Sequence, residues 1–265
     1  MGLYNNRIVV KVGTSTLTND AGKSDLRTTD RLACVLSDIQ NMGYEVVLVS
    51  SGAIAVGRNK LNMTAKPDSM RMKQAAAAVG QCSLMYLYDK FFGDYDKTVA
   101  QILLNADDIE EEGKKENLIN TFNALLEMGV IPIVNENDSV SYKEIESEDR
   151  LFGDNDMLSA VVAVLCRAKH LVIFSDIDGF YDHDPRLYPN AQLIDQIDTI
   201  DDSVYALAGG AGSRRGTGGM RTKLQAASLA TSQGTNTIVT NGKRPEVLYD
   251  IVKGGRAGTL FPGKI

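Results

Sequence analysis

Arg7-Ile8-Val9-Val10-Lys11-Val12-Gly13-Thr14-Ser15 is the stretch from which the fold can be read. Its β-branched centre predicts a strand from Arg7 to Gly13. Apolar residues at successive positions, rather than every second one, mark a strand covered on both faces, as strands of a parallel sheet are. Lys11 interrupts that run. An ammonium group in such surroundings is unfavourable unless an anion answers it, so Lys11 is read as facing an anionic ligand. Gly13 frees the turn that follows.

Outward from this strand, short β-branched runs alternate with longer helical patterns. Further strands are predicted at Tyr44 to Ser51, Val99 to Leu104, Val130 to Asn135, Leu171 to Ser175 and Thr237 to Thr240, with weaker ones at Gln192 to Ile197 and Gly258 to Phe261. Helices are predicted at Thr28 to Met42, Ser69 to Phe91, Glu116 to Met128, Met157 to Cys166 and Thr222 to Gln233. The first of these carries Leu32, Val35, Leu36 and Ile39 on one face and stops at Gly43. Such alternation predicts an α/β protein with a mostly parallel sheet covered by helices on both sides. No internal repeat or long linker divides the chain, so 1–265 is read as one domain with two lobes.

Composition narrows the function. With 43% hydrophobic residues, 265 residues suffice for a substantial core. The net charge of -6 argues against a nonspecific nucleic-acid binder, because release of counterions needs a basic surface. No apolar run reaches membrane-spanning length, and the N-terminus has no hydrophobic signal core, so a cytoplasmic protein is expected. Cys34, Cys82 and Cys166 lie in apolar helical patterns without Cys-x-x-Cys spacing and are read as buried, reduced thiols.

In open parallel sheets, ligands collect beyond the carboxyl ends of the strands. Four predicted strand ends here lead into small polar loops: Gly13-Thr14-Ser15-Thr16, Ser50-Ser51-Gly52-Ala53, Asn135-Glu136-Asn137-Asp138-Ser139 and Ser175-Asp176-Ile177-Asp178-Gly179. Any one of them also reads as an ordinary turn or cap. Together with Lys11 and a glycine-rich segment they suggest a phosphate-handling site. That segment, Gly216-Thr217-Gly218-Gly219-Met220-Arg221-Thr222-Lys223, opens a helix, so backbone N–H groups and the Lys223 ammonium can converge on phosphate. Neither the P-loop pattern nor the dinucleotide fingerprint is present, and nothing beyond the sheet class supports a nicotinamide dehydrogenase. Phosphoryl transfer needs mainly positioning and charge compensation, which lysines and backbone donors provide.

A second cluster, Gly153-Asp154-Asn155-Asp156, begins the Met157 helix. Acidic groups there serve equally as helix caps. The Asn135 to Asp138 loop leads through the polar excursion Ser139 to Phe152 back to this helix start, so the two clusters are expected to face one pocket. Their side chains could accept from a substrate ammonium and orient the two lysines. His170 and His183 are left out of the chemistry. Arg214 and Arg215 either reach phosphate or face water.

In this order, Lys11-Val12-Gly13-Thr14-Ser15, Ser50-Ser51-Gly52-Ala53-Ile54, Asn135-Glu136-Asn137-Asp138, Gly153-Asp154-Asn155-Asp156 and Gly216 to Met220 with Lys223 resemble the amino acid kinase family, in its glutamate-phosphorylating branch. Lys73-Gln74-Ala75-Ala76-Ala77-Ala78-Val79-Gly80-Gln81 and Asp182-His183-Asp184-Pro185-Arg186 add to the likeness, which runs from about Ile8 to Leu260. The resemblance implies a three-layer αβα sandwich, an N-terminal lobe that binds L-glutamate and a C-terminal lobe that binds ATP with Mg2+. It implies transfer of phosphate to the glutamate side chain, giving glutamyl 5-phosphate for proline synthesis. Lys11 and Lys223 would hold the moving group and Asp156 would place them. Ser51, Asp138 and Asn155 with Lys11 match glutamate-binding positions. Ser175, Asp176, Thr217, Gly218, Gly219, Met220, Arg221, Thr222 and Lys223 match nucleotide-binding ones. No metal site formed by the protein itself is implied.

The resemblance further implies a homo-oligomer, proline as inhibitor and a product passed to the next reductase of proline synthesis; from charge and hydropathy no nucleic acid or membrane partner is expected. Two departures stand out. Many members append a PUA domain after the kinase domain, whereas this sequence reads as a kinase-domain-only form. The stretch Ser141 to Leu151 is longer and more acidic than expected, and reads either as regulatory or as a solvated hairpin. Another member such as acetylglutamate kinase, or a silent nucleotide or amino acid sensor, stays open as an alternative.

Overall fold

The computed structural model describes residues 2–19, 23–140, 155–208 and 219–264. Seven strands, β1 (Tyr4–Val12), β2 (Glu45–Ser50), β3 (Val99–Leu104), β4 (Ile131–Glu136), β5 (Ala168–Ser175), β6 (Asn236–Asn241) and β7 (Thr259–Phe261), form one sheet in the order β3-β4-β2-β1-β5-β6-β7. All pairings are parallel except that of β7 with β6. β1 is central, and its Lys11 lies between Val49 of β2 and Ile173 of β5.

The alternation along β1 sorts two cores. Ile8, Val10 and Val12 pack in the layer of α2 (Leu26–Asn41), α3 (Ala53–Lys60), α4 (Met70–Gly93) and α10 (Val247–Val252). Val9 packs in the layer of α6 (Glu112–Glu127), α7 (Asn155–Leu165) and α9 (Met220–Ser232). The result is the αβα sandwich with a mostly parallel sheet. Lys11 shares the parity of Val9 and points to the second layer, where α7 and α9 begin. Short helices α1 (Thr14–Leu17), α5 (Asp107–Glu110) and α8 (Asp202–Leu207) complete the described elements.

The helix α3 was not among the expected elements. It starts directly after Gly52, whose φ of +102° is a left-handed conformation that glycine adopts without strain. It crosses α4 with the two backbones in contact. A Cβ built on Gly80 would fall 1.7 Å from the Ala53 carbonyl oxygen, and one on Gly57 would fall 1.7 Å from that of Ala76. The crossing ties the start of α3, and so the end of β2, to the middle of α4.

Two expectations are corrected. Gln192 to Ile197 is no strand: it makes only the single bridges Tyr181 with Leu193 and Gln196 with Leu260, because only Ile197 of the run is buried. Cys82 is exposed and Cys34 half-buried, and only Cys166 is fully enclosed; all three are free. The alanine-rich run of α4 explains Cys82. Ala76 and Ala77 are buried while Ala75 and Ala78 are exposed, so small apolar residues there do not mark the inner face. Among the described residues no helix is long and apolar enough to cross a membrane.

Candidate active site

Lys11 sits one residue before the end of β1 and is almost wholly enclosed. Its partner is Asp156, in the first turn of α7 and fully buried, with Nζ 2.6 Å from Oδ1. From the first turn of α9, Lys223 reaches the same carboxylate, its Nζ 2.9 Å from Oδ2. The Thr222 hydroxyl lies 3.0 Å from Asp156 Oδ2 and 2.9 Å from the Gly219 carbonyl, and can donate to one at a time. Three distant segments therefore meet on one carboxylate.

Electrostatics give this triad its meaning. Burial pushes the Asp156 carboxyl up, but the neighbouring Lys11 and Lys223 ammonium groups outweigh it and hold the group down at about 2. Asp156 is thus ionised at neutral pH. One negative charge between two positive ones leaves a net positive charge in a region shielded from water, and the N-termini of α7 and α9 add their partial positive charge. Such a place favours an anion.

Beside the triad lies a network of neutral groups. Asn155, adjacent to Asp156, directs Nδ2 at Ser51 Oγ (2.7 Å), Asn135 Oδ1 (3.0 Å) and the Ser50 carbonyl (3.2 Å). Asn135, buried at the end of β4, donates from Nδ2 to Gln81 Oε1 on α4 at 2.9 Å. Ser50 Oγ and the Tyr88 hydroxyl, also on α4, are 2.8 Å apart. Burial pushes the Tyr88 hydroxyl above its ordinary range, so it stays protonated. Asp138, just beyond β4, is pushed up to about 7, first by burial and then by the Glu136 carboxylate.

At the end of β5 the buried Ser175 hydroxyl lies 3.3 Å from Asp176 Oδ1. Asp176 is exposed and faces Arg186 Nη1 at 3.5 Å, while Arg186 Nε donates to Asp184 at 3.0 Å. Gly219 caps α9, whose first turn carries Met220, Arg221, Thr222 and Lys223. Thr217, Gly218, the Gly153-Asp154 pair, Arg214, Arg215 and the Ser141 to Leu151 stretch lie outside the described residues. His183 is exposed beside Asp182 and Tyr188. His170 sits within β5, where burial and then Lys169 push its imidazole down. Tyr88 lies in none of the motif stretches, and the contacts Gln81 makes with Asn135, Tyr88 with Ser50 and Arg186 with Asp176 are seen only in the structure.

Residues 6–241 match the amino acid kinase family. The chain belongs to the amino acid kinase family. It is 55% identical to the glutamate 5-kinase of Clostridium perfringens over 97% of this chain and 96% of the relative. It is 50% identical to the glutamate 5-kinase of Listeria innocua over 97% and 93% of the two chains. The solved carbamate kinase of Giardia lamblia bound to AMP-PNP shares the fold, with a TM-score of 0.67 at 16% identity over 98% of each chain. The UMP kinase of Bacillus anthracis does so with a TM-score of 0.65 at 14% identity over 98% of this chain and 97% of its own. As a member of this family the chain is an enzyme, a kinase, for which ATP is the co-substrate.

Proposed function

We propose that this kinase transfers the γ-phosphoryl group of ATP to the side-chain carboxylate of L-glutamate, giving L-glutamyl 5-phosphate as the first step of proline synthesis. The observation that carries the reading is the buried Lys11–Asp156–Lys223 triad beside the Asn155 network, in a chain 55% identical to a glutamate 5-kinase along nearly its whole length. The N-terminal half, from β1 to β4, supplies the glutamate side together with Asn155 at the start of α7. The half built around β5, β6 and α9 supplies the ATP side.

The chemistry follows from the charges. A carboxylate oxygen of glutamate attacks Pγ, the new O–Pγ bond forms, and the bond from Pγ to the β,γ-bridging oxygen breaks, so that ADP leaves with that electron pair. The attacking carboxylate is already ionised at neutral pH, so no general base is required. Lys11 and Lys223 meet the charge spread over the equatorial oxygens, and Asp156 keeps both ammonium groups in place. Ser51, Asn155 and Asp138 hold glutamate together with Lys11. Ser175, Asp176 and the segment Thr217 to Lys223 hold the nucleotide.

Mg2+ fits as an ion brought in with ATP. Among the described residues no group of three acidic, histidine or cysteine side chains could cage a metal, and Mg2+ in kinases needs only one or two carboxylates beside substrate phosphates and water. When bound it would screen the charge between the β- and γ-phosphates.

Proline as inhibitor, a homo-oligomeric assembly and delivery of the labile acyl phosphate to the following reductase complete the proposal. Trapping the product with hydroxylamine tests it: hydroxamate is expected with ATP and glutamate, little with N-acetylglutamate, and less when proline is added. Absence of hydroxamate with glutamate would sink the proposal. A strong preference for N-acetylglutamate would move it to the acetylglutamate kinases.

A further inference from the structure

The hydrogen-bond network on the acceptor side ends on a residue that lies in none of the strand-end loops. Gln81, in the middle of α4, receives the Asn135 amide. The direction of the whole chain of amides can be deduced from its other end. The Ser50 backbone carbonyl can only accept, so the Asn155 atom 3.2 Å from it must be the NH2 group. Asn135 must then present its carbonyl oxygen to Asn155 and its NH2 to Gln81, and Gln81 must present Oε1. With the donor end of Asn155 turned inward to Ser50, Ser51 and Asn135, Oδ1 is the atom it has for accepting from a ligand. An acceptor at that place suits the α-ammonium group of an amino acid.

The place of Gln81 is set by packing. Its neighbour Gly80 lies against the Ala53 carbonyl so closely that a Cβ would fall 1.7 Å from the oxygen. Two helical turns further on, Tyr88 meets Ser50. The helix α4 therefore grips the Ser50-Ser51-Gly52-Ala53 segment at two levels, and Gln81 projects from that anchored stretch.

We propose that Gln81 is a positioning residue for the amino acid acceptor. By accepting from Asn135 Nδ2 it holds Asn135, and through it Asn155, in the orientation that turns an oxygen toward the substrate ammonium. The inference rests on the glutamate kinase reading. A purely structural role would affect glutamate and ATP alike, whereas a role in this network acts on the acceptor alone.

Steady-state kinetics with each substrate varied in turn, alongside thermal melting, test the idea. Gln81→Met removes the acceptor at similar length; the KM for glutamate is expected to rise roughly tenfold, with the KM for ATP within about twofold. Gln81→Glu restores an acceptor oxygen and should recover most of that loss. Should Gln81→Met fail to fold, Gln81→Asn keeps the polarity but draws the oxygen back by one methylene, and a rise of at least about threefold in the glutamate KM is expected. An unchanged glutamate KM in the folded variants, or parallel rises for glutamate and ATP, overturns the proposal while the kinase reading stands. A wild-type enzyme without hydroxamate formation on glutamate defeats both together.

Discussion

The two sides of the candidate site are made of opposite materials. On the phosphoryl side, three charged groups meet, and their arrangement is held by ion pairs of 2.6 and 2.9 Å inside the fold. On the acceptor side the contacts run between neutral amides and hydroxyls, from Gln81 through Asn135 and Asn155 to Ser51. Charge concentrated in a dry place compensates developing charge strongly but has little directional preference. Neutral hydrogen bonds contribute less energy each, yet they fix which atom points where. The division suggests that rate is governed by the first side and choice of acceptor by the second.

The largest effect should come from the charged side. Lys11→Ala and Lys223→Ala are each expected to lower turnover by at least about a hundredfold, the scale of losing one transition-state donor, with an unchanged far-ultraviolet circular dichroism spectrum. Near-normal turnover in either variant would abolish the contrast between the two sides. The pH dependence of the acceptor side comes next. Asp138, with its carboxyl raised to about 7, is substantially protonated below neutrality and cannot then pair with a substrate ammonium. The kcat/KM for glutamate should rise as pH increases through about 7, and Asp138→Asn should lower it and flatten that rise. A rise that persists in the variant would assign the titration elsewhere.

Smaller effects test the α4 support. Gly80→Ala forces a methyl group into the Ala53 carbonyl, so the α3–α4 crossing must open. A loss of about 1–3 kcal/mol in stability is expected, measured by denaturant unfolding, with a weaker glutamate KM because Ser51 moves with that crossing. Tyr88→Phe removes only the hydroxyl facing Ser50 and should destabilise by about 1 kcal/mol, a drop of roughly 2–4 °C in Tm, with the KM for ATP unaffected. An altered ATP KM would mean that α4 serves both sides.

Much of the architecture is legible in the chain itself. Runs such as Ile8 to Val12 and Val46 to Val49 are too continuously apolar for a sheet with a wet face, and the helices between them demand parallel crossovers. A lysine inside such a run announces itself for the same reason. Lys11, Asp156 and Lys223 meet at the edge of the sheet where the strands end in small polar loops. By contrast, the alanine-rich α4 carries little periodic signal, so the exposure of Cys82 and the contacts of Gln81 and Tyr88 cannot be read from it. The Gln192 to Ile197 run is short and partly apolar, but only Ile197 is buried and no neighbour pairs with its full length.

Sequence alone thus determined the layers, the central strand and the oddity of Lys11, because these follow from local periodicity and from the penalty on a buried charge. Only the tertiary structure decided that Lys11 and Lys223, 212 positions apart, share the carboxylate of Asp156, and that Gln81 underlies Asn135. Ion pairs and hydrogen bonds extend only a few ångströms, so their partners are set by how helices cross and strands order, which local patterns do not encode.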